Sequence, residues 1–316
     1  MEIVILDAAT LGADIDLSPL KEQGNVTVYR NTAPEEIGQR IEFADVIVSN
    51  KVKLGEAVLQ NAKQLKLICL AATGYDCVDI GYCARSGIGV CNVPGYSTHS
   101  VAQLTVAMVL ELIGHLSSYR AYVHSGAYSR SGVANALTPV WQELYGKTWG
   151  IIGGGNIGRQ VAKIAEAFGC RVLICRRQPD PHYETVSLET LCRESDIVSL
   201  HVPLTEQTRG MIGAEQIALM KPGVILVNVA RGAVTDETAL AEAVIDRKIG
   251  GLGVDVYSAE PFGEDHPFSK ILDFSNVCLT PHTAWGAYET RNRCIRMVAE
   301  NIAAFREGSH RNRVEQ

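Results

Sequence analysis

The stretch TWGIIGGGNIGRQVAKIAEAFGCRVLIC, residues 148–175, decides the fold of this chain. Its two ends are short apolar runs typical of buried strands, and the segment between them has the spacing of a helix. Glycines in the pattern GxGxxG separate the first strand from the helix, and they are Gly153, Gly155 and Gly158. In this context they permit a tight turn, the close approach of a phosphate to the backbone, and packing of the helix on the strand. The stretch therefore predicts the first βαβ unit of a dinucleotide-binding sheet.

The start of that helix is the expected phosphate site. The backbone N–H groups of Asn156 and Ile157 would point at a pyrophosphate from the positive end of the helix dipole. GxGxxG in isolation is weak evidence, because a glycine-rich turn can also bind nothing. Here a predicted strand and a predicted helix flank the motif as a dinucleotide site requires.

The residues after the second strand bear on which dinucleotide binds. An NAD-binding sheet usually has Asp or Glu there, about 20 residues beyond the glycines, to bind the ribose hydroxyls. Arg176 and Arg177 stand at this position instead, and two guanidinium groups suit a 2′-phosphate. We expect NAD(P) as the cofactor, with NADP favoured over NAD. In the alternative, one arginine stacks on adenine and the other faces water.

The rest of the sequence alternates short apolar runs with helical spacers, which indicates an α/β fold with parallel sheets. Ahead of the glycine motif, the predicted strands are Ile3 to Leu6, Asn25 to Tyr29, Val46 to Ser49, Leu67 to Ala71 and Val90 to Val93. From the motif onward, they are Thr148 to Ile152, Arg171 to Cys175, Ile197 to His201, Val224 to Val229, Gly251 to Val256 and Val277 to Thr280. Long segments at 97–116 and 287–306 have helical apolar spacing.

These elements predict two Rossmann-like, doubly wound domains. We expect a dinucleotide-binding domain over 97–287, inserted into a split, flavodoxin-like substrate domain made of 1–96 and 288–316. A length of 316 residues suits two domains of ordinary size.

Composition narrows the classes of function. The formal net charge is −6, and no Lys/Arg run is longer than the Arg176-Arg177 pair, so we expect neither nucleic acid nor membrane as a partner. The sequence has no apolar run near the roughly 18 residues of a membrane span and no recognisable export signal. Nine cysteines are scattered without a CxxC pair. They predict neither a metal site nor a disulfide framework, and they suit a reducing cytoplasm.

Three charged residues each follow a predicted strand, at the edge where open α/β sheets bind ligands. They are Arg231, Glu260 and His282. A guanidinium can hold the carboxylate of a 2-oxoacid and polarise its ketone, while a histidine donates a proton to the ketone oxygen. A carboxylate beside that histidine would orient the ring and favour its protonated form. Each residue alone could be structural, but together they predict hydride transfer from the dinucleotide to a 2-oxoacid.

At this point the sequence resembles the D-isomer-specific 2-hydroxyacid dehydrogenases, in their glycerate dehydrogenase and hydroxypyruvate (glyoxylate) reductase branch. The similarity runs almost end to end. The blocks that carry it are AATGYDCVD at 71–79, NVPGYST at 92–98, VPLTEQTRGMIG at 202–213, VNVARG at 227–232, DVYSAEP at 255–261 and TPHTAW at 280–285. The resemblance implies that Arg231 binds the substrate, that Glu260 is the partner acid and that His282 is the acid/base.

Further roles follow from the resemblance alone. Thr73 and Gly74 would offer backbone amides to the substrate carboxylate. Thr98 would lie next to the nicotinamide, Pro203 would line the cofactor groove, and Asp255 would lie near the nicotinamide amide. The family is typically homodimeric, and the stretch 119–145 resembles its dimerisation arm.

The resemblance favours glyoxylate, hydroxypyruvate or D-glycerate as substrate. Trp285 resembles the aromatic residue that closes a small pocket in this branch, and Trp141 would approach the same pocket from a partner subunit. Both tryptophans could equally be packing residues. The alternative function is a non-enzymatic dinucleotide sensor, similar to the transcriptional corepressors of this fold. The chain lacks the tails and basic arm that would recruit partners, which favours the enzyme.

Overall fold

The computed structural model describes residues 1–315, and their backbone contacts form two compact units. One unit comprises Met1–Ser97 and the described residues from Gly286 on, and the other is Thr98–Trp285. Each unit contains one sheet whose paired strands are all parallel. The predicted α/β fold class with two Rossmann-like sheets is confirmed.

The first unit begins with five strands that alternate with short helices. In chain order the elements are β1 (Glu2–Ile5), α1 (Ser18–Lys21), β2 (Asn25–Val28), α2 (Ile37–Ile41), β3 (Val46–Ser49), α3 (Glu56–Leu59), β4 (Leu67–Leu70), α4 (Ile80–Arg85) and β5 (Gly89–Cys91). The strand order is β2-β1-β3-β4-β5, which is the flavodoxin-like order. Strands β3 and β4 are buried throughout, so they read as continuous apolar runs rather than as alternating patterns.

The second unit opens with helices and continues as a seven-stranded sheet. Its elements are α5 (Thr98–Gly114), α6 (Leu116–His124), α7 (Ala127–Arg130), β6 (Thr148–Ile152), α8 (Asn156–Ala167), β7 (Arg171–Cys175), β8 (Glu184–Thr185), α9 (Leu188–Glu194), β9 (Ile197–Leu200), α10 (Ala214–Leu219), β10 (Val224–Asn228), α11 (Glu237–Ile245), β11 (Ile249–Val254) and β12 (Val277–Leu279). The strand order is β12-β11-β10-β9-β6-β7-β8. Counted from β6, this is the dinucleotide-binding order 3-2-1-4-5-6 with one more strand at the edge.

Apolar layers cover both faces of this second sheet. On one face Trp149 is fully buried, and α5 packs against α8 there. On the other face Leu200 and Leu226 pack with residues of α10 and α11. The sheet is therefore buried on both sides, as a parallel sheet with crossover helices requires.

The last helix of the described chain, α12 (Tyr288–Arg306), belongs to the first unit. It packs against α1 and β4. Arg291 on α12 donates to both carboxylate oxygens of Asp14, at 2.6 and 2.9 Å, which is a bidentate pair. The helix predicted over 287–306 is confirmed to within one residue.

The long helix predicted over 97–116 ends earlier than expected. His115 adopts a left-handed backbone with φ of 50°, so α5 stops at Gly114 and α6 leaves at a bend of 59°. Within residues 1–315 no single helix is long and apolar enough to cross a membrane, and only this bent pair passes by length and composition.

Candidate active site

The turn between β6 and α8 explains two of the three motif glycines by close contacts. Gly153 has φ of +104°, and a Cβ added there would lie 2.6 Å from the carbonyl oxygen of His201. A Cβ added at Gly158 would lie 1.9 Å from the carbonyl oxygen of Gly153. Neither position can carry a side chain without moving backbone, so the turn holds its shape only with glycine.

Gly155 differs from these two glycines because a Cβ added there would meet no atom within 4 Å. The residue is the N-cap of α8, and no side chain satisfies the first N–H groups of the helix. A 12-residue helix with an open first turn, containing Asn156 and Ile157, is a site for an anionic group. The residues present here therefore fit the pyrophosphate of a dinucleotide.

Arg176 follows β7 but already has a partner. Its Nη1 donates to the carboxylate of Asp180 at 2.7 Å, and Arg159 on α8 donates to the same oxygen through Nε at 3.1 Å. Burial opposes the charge on the Asp180 carboxyl, but a hydrogen bond from the N–H of His182 and the two guanidinium groups outweigh it, so the pKa of Asp180 is lowered. Arg177 is exposed. Asp180 was not among the residues predicted from the sequence, although it lies only four residues after Arg176.

Arg231 lies in a turn at the carboxyl end of β10, and buried Asn228 holds that turn. The side-chain amide of Asn228 donates to the carbonyl of Arg231 at 3.0 Å and accepts from the N–H of Ala230 at 3.0 Å. The Arg231 guanidinium donates to the carbonyl of Ala230 at 2.7 Å and is half-buried. The arginine predicted from the strand end is thus fixed at its base by its own turn.

Glu260 and His282 form a direct pair. His282 Nδ1 lies 2.7 Å from Glu260 Oε2, and the side chains are 22% and 30% exposed for histidine and glutamate, respectively. His282 has φ of 53°, a left-handed backbone that is uncommon for residues other than glycine. A substrate can reach such a pair, because neither side chain is fully enclosed.

Asp255 holds the segment that carries His282. Its buried carboxylate accepts from the Thr280 hydroxyl at 2.6 Å and from the N–H groups of Thr283 and Ala284 at 2.8 and 2.9 Å. Burial raises the pKa of Asp255 and these hydrogen bonds oppose that rise. The donors on both sides of His282 therefore tie its backbone to the end of β11.

Sheet order and one close backbone contact bring the three predicted residues to the same edge. Strands β10, β11 and β12 are neighbours, and the segments after them carry Arg231, Glu260 and His282, respectively. A Cβ added at Gly232 would lie 2.0 Å from the carbonyl carbon of Tyr257. The Arg231 turn therefore rests directly on the loop that leads to Glu260.

The other predicted site residues occupy mixed environments. Thr98 is the first residue of α5, and Pro203 is exposed after β9. Trp285 is partly buried and packs against the apolar layer under the second sheet. In the first unit, Thr73 donates its hydroxyl to the carbonyl of Val93 at 3.1 Å, and Gly74 follows it in the loop after β4.

The second unit combines a glycine turn that fits a dinucleotide with the histidine–carboxylate pair of His282 and Glu260. These are the features of a nicotinamide-dependent oxidoreductase. The family profile described as "D-isomer specific 2-hydroxyacid dehydrogenase, NAD binding domain" matches residues 106–284. The chain belongs to the D-isomer specific 2-hydroxyacid dehydrogenase family. It is an oxidoreductase that acts on CH–OH groups with a nicotinamide dinucleotide.

Individual relatives match over most or all of the chain. A hydroxypyruvate reductase from Blautia hydrogenotrophica is 35% identical over 329 aligned positions, which span 100% of both proteins. A glyoxylate reductase from Thermococcus litoralis is 39% identical over 278 positions, 85% of this chain and 83% of the relative. Among solved structures, a D-lactate dehydrogenase from Aquifex aeolicus in complex with NAD and lactic acid superposes with a TM-score of 0.86 at 31% identity. It covers 100% of this chain and 99% of that one.

Proposed function

We propose that this enzyme reduces the keto group of a small 2-oxoacid, glyoxylate or hydroxypyruvate, to the D-2-hydroxyacid. The observation that carries the proposal is the 2.7 Å pair of Glu260 and His282 at the end of neighbouring strands. The names of the relatives, a hydroxypyruvate reductase and a glyoxylate reductase, support the substrate class. When bound, the dinucleotide supplies the hydride.

In this proposal His282 gives the proton that completes the alcohol. Its Nδ1 faces Glu260, so an ionised Glu260 accepts from Nδ1 and fixes the ring tautomer. The imidazolium then presents Nε2–H to the ketone oxygen, and the ring is neutral after the transfer. In the reverse direction the neutral Nε2 accepts the proton of the hydroxyl.

Arg231 is the proposed anchor of the substrate carboxylate. Its guanidinium is permanently charged and matches a carboxylate in a bidentate manner. We also propose the backbone amides of Thr73 and Gly74 as donors to the carboxylate, and Trp285 as the aromatic wall that limits substrate size.

Matched substrates test this function. Hydroxypyruvate and hydroxyacetone share the hydroxymethyl ketone, and only the first has a carboxylate. We expect turnover of glyoxylate and hydroxypyruvate and a loss of at least about a hundredfold in kcat/KM for hydroxyacetone, because a charged hydrogen-bonded pair is missing. Equal kcat/KM for hydroxyacetone and hydroxypyruvate would show that Arg231 does not bind the substrate carboxylate. A folded, dinucleotide-binding sample that reduces no 2-oxoacid would overturn the proposed function.

We propose NADP rather than NAD as the preferred dinucleotide. The guanidinium groups of Arg159 and Arg176 share the single carboxylate of Asp180, so positive charge is in excess there, and the exposed Arg177 follows Arg176 in the chain. Such a surplus of positive charge suits a 2′-phosphate even though Asp180 engages Arg176.

The remaining residues that we propose as contacts of the dinucleotide are Gly153, Gly155, Gly158, Asn156, Ile157, Thr98, Pro203 and Asp255.

Replacement of Arg176 tests the cofactor preference. We expect Arg176→Ala to raise the KM for NADPH about tenfold and to change the KM for NADH little, since only NADPH loses a charge-assisted bond. The matched control is Arg193→Ala, which removes an exposed arginine paired with Glu189 on α9. A wild-type preference for NADH would contradict the proposal.

We also propose a homodimer formed through the arm, residues 119–145. Exposed apolar side chains concentrate there, with Leu137 72%, Val140 76% and Trp141 55% exposed. An apolar groove of about 550 Å³ lies next to them, lined by Leu116, Tyr119, Trp141 and Phe168 among others. Such a surface is large for a monomer and suits a second copy of the chain.

The mass of the particle in solution tests the dimer. Val140→Asp would place a charge in the proposed interface and should convert the dimer to monomer in light scattering. Leu272→Asp, at another exposed leucine, should leave the mass unchanged. A monomeric wild-type chain would contradict the proposed homodimer.

We propose the cytoplasm as its location. The support is that all nine cysteines lie outside disulfides in the described residues. Burial raises the pKa of Cys83 and Cys192 to about 11, which suits inert core thiols kept reduced.

A further inference from the structure

A second histidine–carboxylate pair is buried beneath the proposed active site. His266 Nε2 lies 3.1 Å from Glu237 Oε2, and the two side chains are only 6% and 8% exposed. His266 Nδ1 accepts from the N–H of Phe268 at 3.2 Å, so the proton of a neutral ring is on Nε2 and is donated to Glu237. Both ring nitrogens are therefore engaged within the protein, and this pair has no access to a substrate.

Glu237 uses the rest of its carboxylate on the loop that carries Glu260. The N–H of Ser258 donates to Glu237 Oε1 at 2.8 Å, and the Ser258 hydroxyl donates to Oε2. Two residues later, Glu260 begins its own contacts: Oε1 accepts from the N–H of Tyr257 at 3.0 Å and Oε2 faces His282. A buried carboxylate with three donors is rigid, since losing any partner leaves a charged oxygen unsatisfied.

The same loop is confined from the other side. Gly232 packs against Tyr257 and Ser258 so closely that a Cβ would lie 2.0 and 2.2 Å from their backbone atoms. The hydroxyl of Tyr257 donates to the carbonyl of Thr280 at 2.8 Å, two residues before His282. The loop that carries Glu260 is therefore held by Gly232 and Tyr257 on one side and by Glu237, at the start of α11, on the other.

We infer that Glu237 and His266 are positioning residues that fix Ser258 and thereby hold Glu260 within hydrogen-bond distance of His282. This rests on the proposed function only for its effect on turnover. If the pair only stabilised the fold, its loss would leave the hydrogen bond between Glu260 and His282 unchanged. If the pair positions Glu260, its loss weakens that hydrogen bond, because the bond depends on the distance and angle between the two side chains.

The test follows the His282 ring by NMR in full-length protein labelled at histidine nitrogens. Glu237→Gln keeps the shape but replaces one acceptor oxygen with an NH2 group that faces donors. We expect the His282 Nδ1 resonance to move part of the way to its position in Glu260→Gln, because the hydrogen bond from Nδ1 to Glu260 is weaker. The matched control is Glu242→Gln, an exposed glutamate on the same helix, which should leave the resonance where it is in wild type. Because no substrate is needed, this measurement stands whether or not a 2-oxoacid is reduced.

Turnover gives the second readout. With glyoxylate and NADPH, Glu237→Gln should lower kcat about tenfold, with the dinucleotide Kd unchanged. In the Glu260→Gln background the same change should have little further effect, because the residue it positions is gone. If Glu237→Gln does not fold, Ser258→Ala removes one of the three bonds and should move the His282 Nδ1 resonance in the same direction by less. An unchanged His282 Nδ1 resonance in the folded variant would overturn the inference.

Discussion

Two histidine–carboxylate pairs lie close together in the sequence and differ in burial. Glu260 and His282 are 30% and 22% exposed at the sheet edge, whereas Glu237 and His266 are 8% and 6% exposed beneath it. In the exposed pair His282 has a left-handed backbone. In the buried pair the imidazole bonds to protein at both nitrogens. In the proposed mechanism the first pair transfers a proton where a ligand can reach it, and the second pair positions a loop where no ligand can.

The largest contrast is expected in turnover. His282→Asn keeps a residue that tolerates positive φ but removes the proton donor, so kcat should fall by about 10²–10⁴. His266→Asn should lower kcat by no more than about tenfold, because it acts through Glu237 and Ser258. Steady-state assays with glyoxylate and NADPH measure both. Similar losses of kcat in the two variants would show that the two pairs do not differ in their role in turnover.

Glu260→Gln should show whether Glu260 acts on His282 by orienting its ring or by its negative charge. Glutamine can still face Nδ1 but no longer favours the imidazolium, so reduction should fall by about 10- to 100-fold at neutral pH and recover partly at lower pH. The pH profile of kcat measures this shift. If the profile kept the wild-type shape, Glu260 would not act on His282 through its charge.

Stability should rank the pairs in the opposite order. His266→Asn removes one of the three donors to the buried Glu237 carboxylate and should cost about 2 kcal/mol of unfolding free energy. His282→Asn should change it by less than about 0.5 kcal/mol, since the site is partly exposed and its backbone strain is relieved. Denaturant unfolding of both variants is the measurement. A larger loss for His282→Asn would mean that the exposed pair is the structural one.

A third histidine shows what burial does without a carboxylate. His201 Nε2 bonds to Ser199, Nδ1 has no partner within residues 1–315, and burial lowers its pKa to about 3. The unfolded chain then binds a proton below about pH 6.5 that the folded chain does not, so stability is lost as the pH falls. His201→Gln should reduce the loss of unfolding free energy between pH 7 and 5.5 by about 1 kcal/mol. An unchanged loss would show that His201 titrates normally.

Local patterns predicted the fold in detail where strands are fully buried. Both β6 and β7 begin and end where the apolar runs of the glycine motif do. The two-residue strand β8 was missed because it lies at a sheet edge and has no apolar run. The end of α5 was misplaced because a left-handed residue, His115, interrupts a segment whose periodicity continues.

The site shows a similar division. Arg231, Glu260 and His282 were predictable because each follows a strand, and parallel strands bring their ends to one edge. Glu237 and His266 were not, because 29 residues and a strand separate them and only tertiary packing joins them. The GxGxxG motif predicted the turn between β6 and α8 for the same reason that the strand ends predicted the positions of the three charged residues. Both are local signals in the sequence.

The most direct test of the central claim is the product formed from hydroxypyruvate with NADPH. We expect D-glycerate as the only enantiomer from wild type, loss of at least about 10² in its rate of formation for His282→Asn, and retention within about tenfold for His266→Asn. Formation of L-glycerate would contradict the proposed D-2-hydroxyacid product, and formation of D-glycerate at the wild-type rate by His282→Asn would contradict the assignment of the exposed pair as the site of proton transfer.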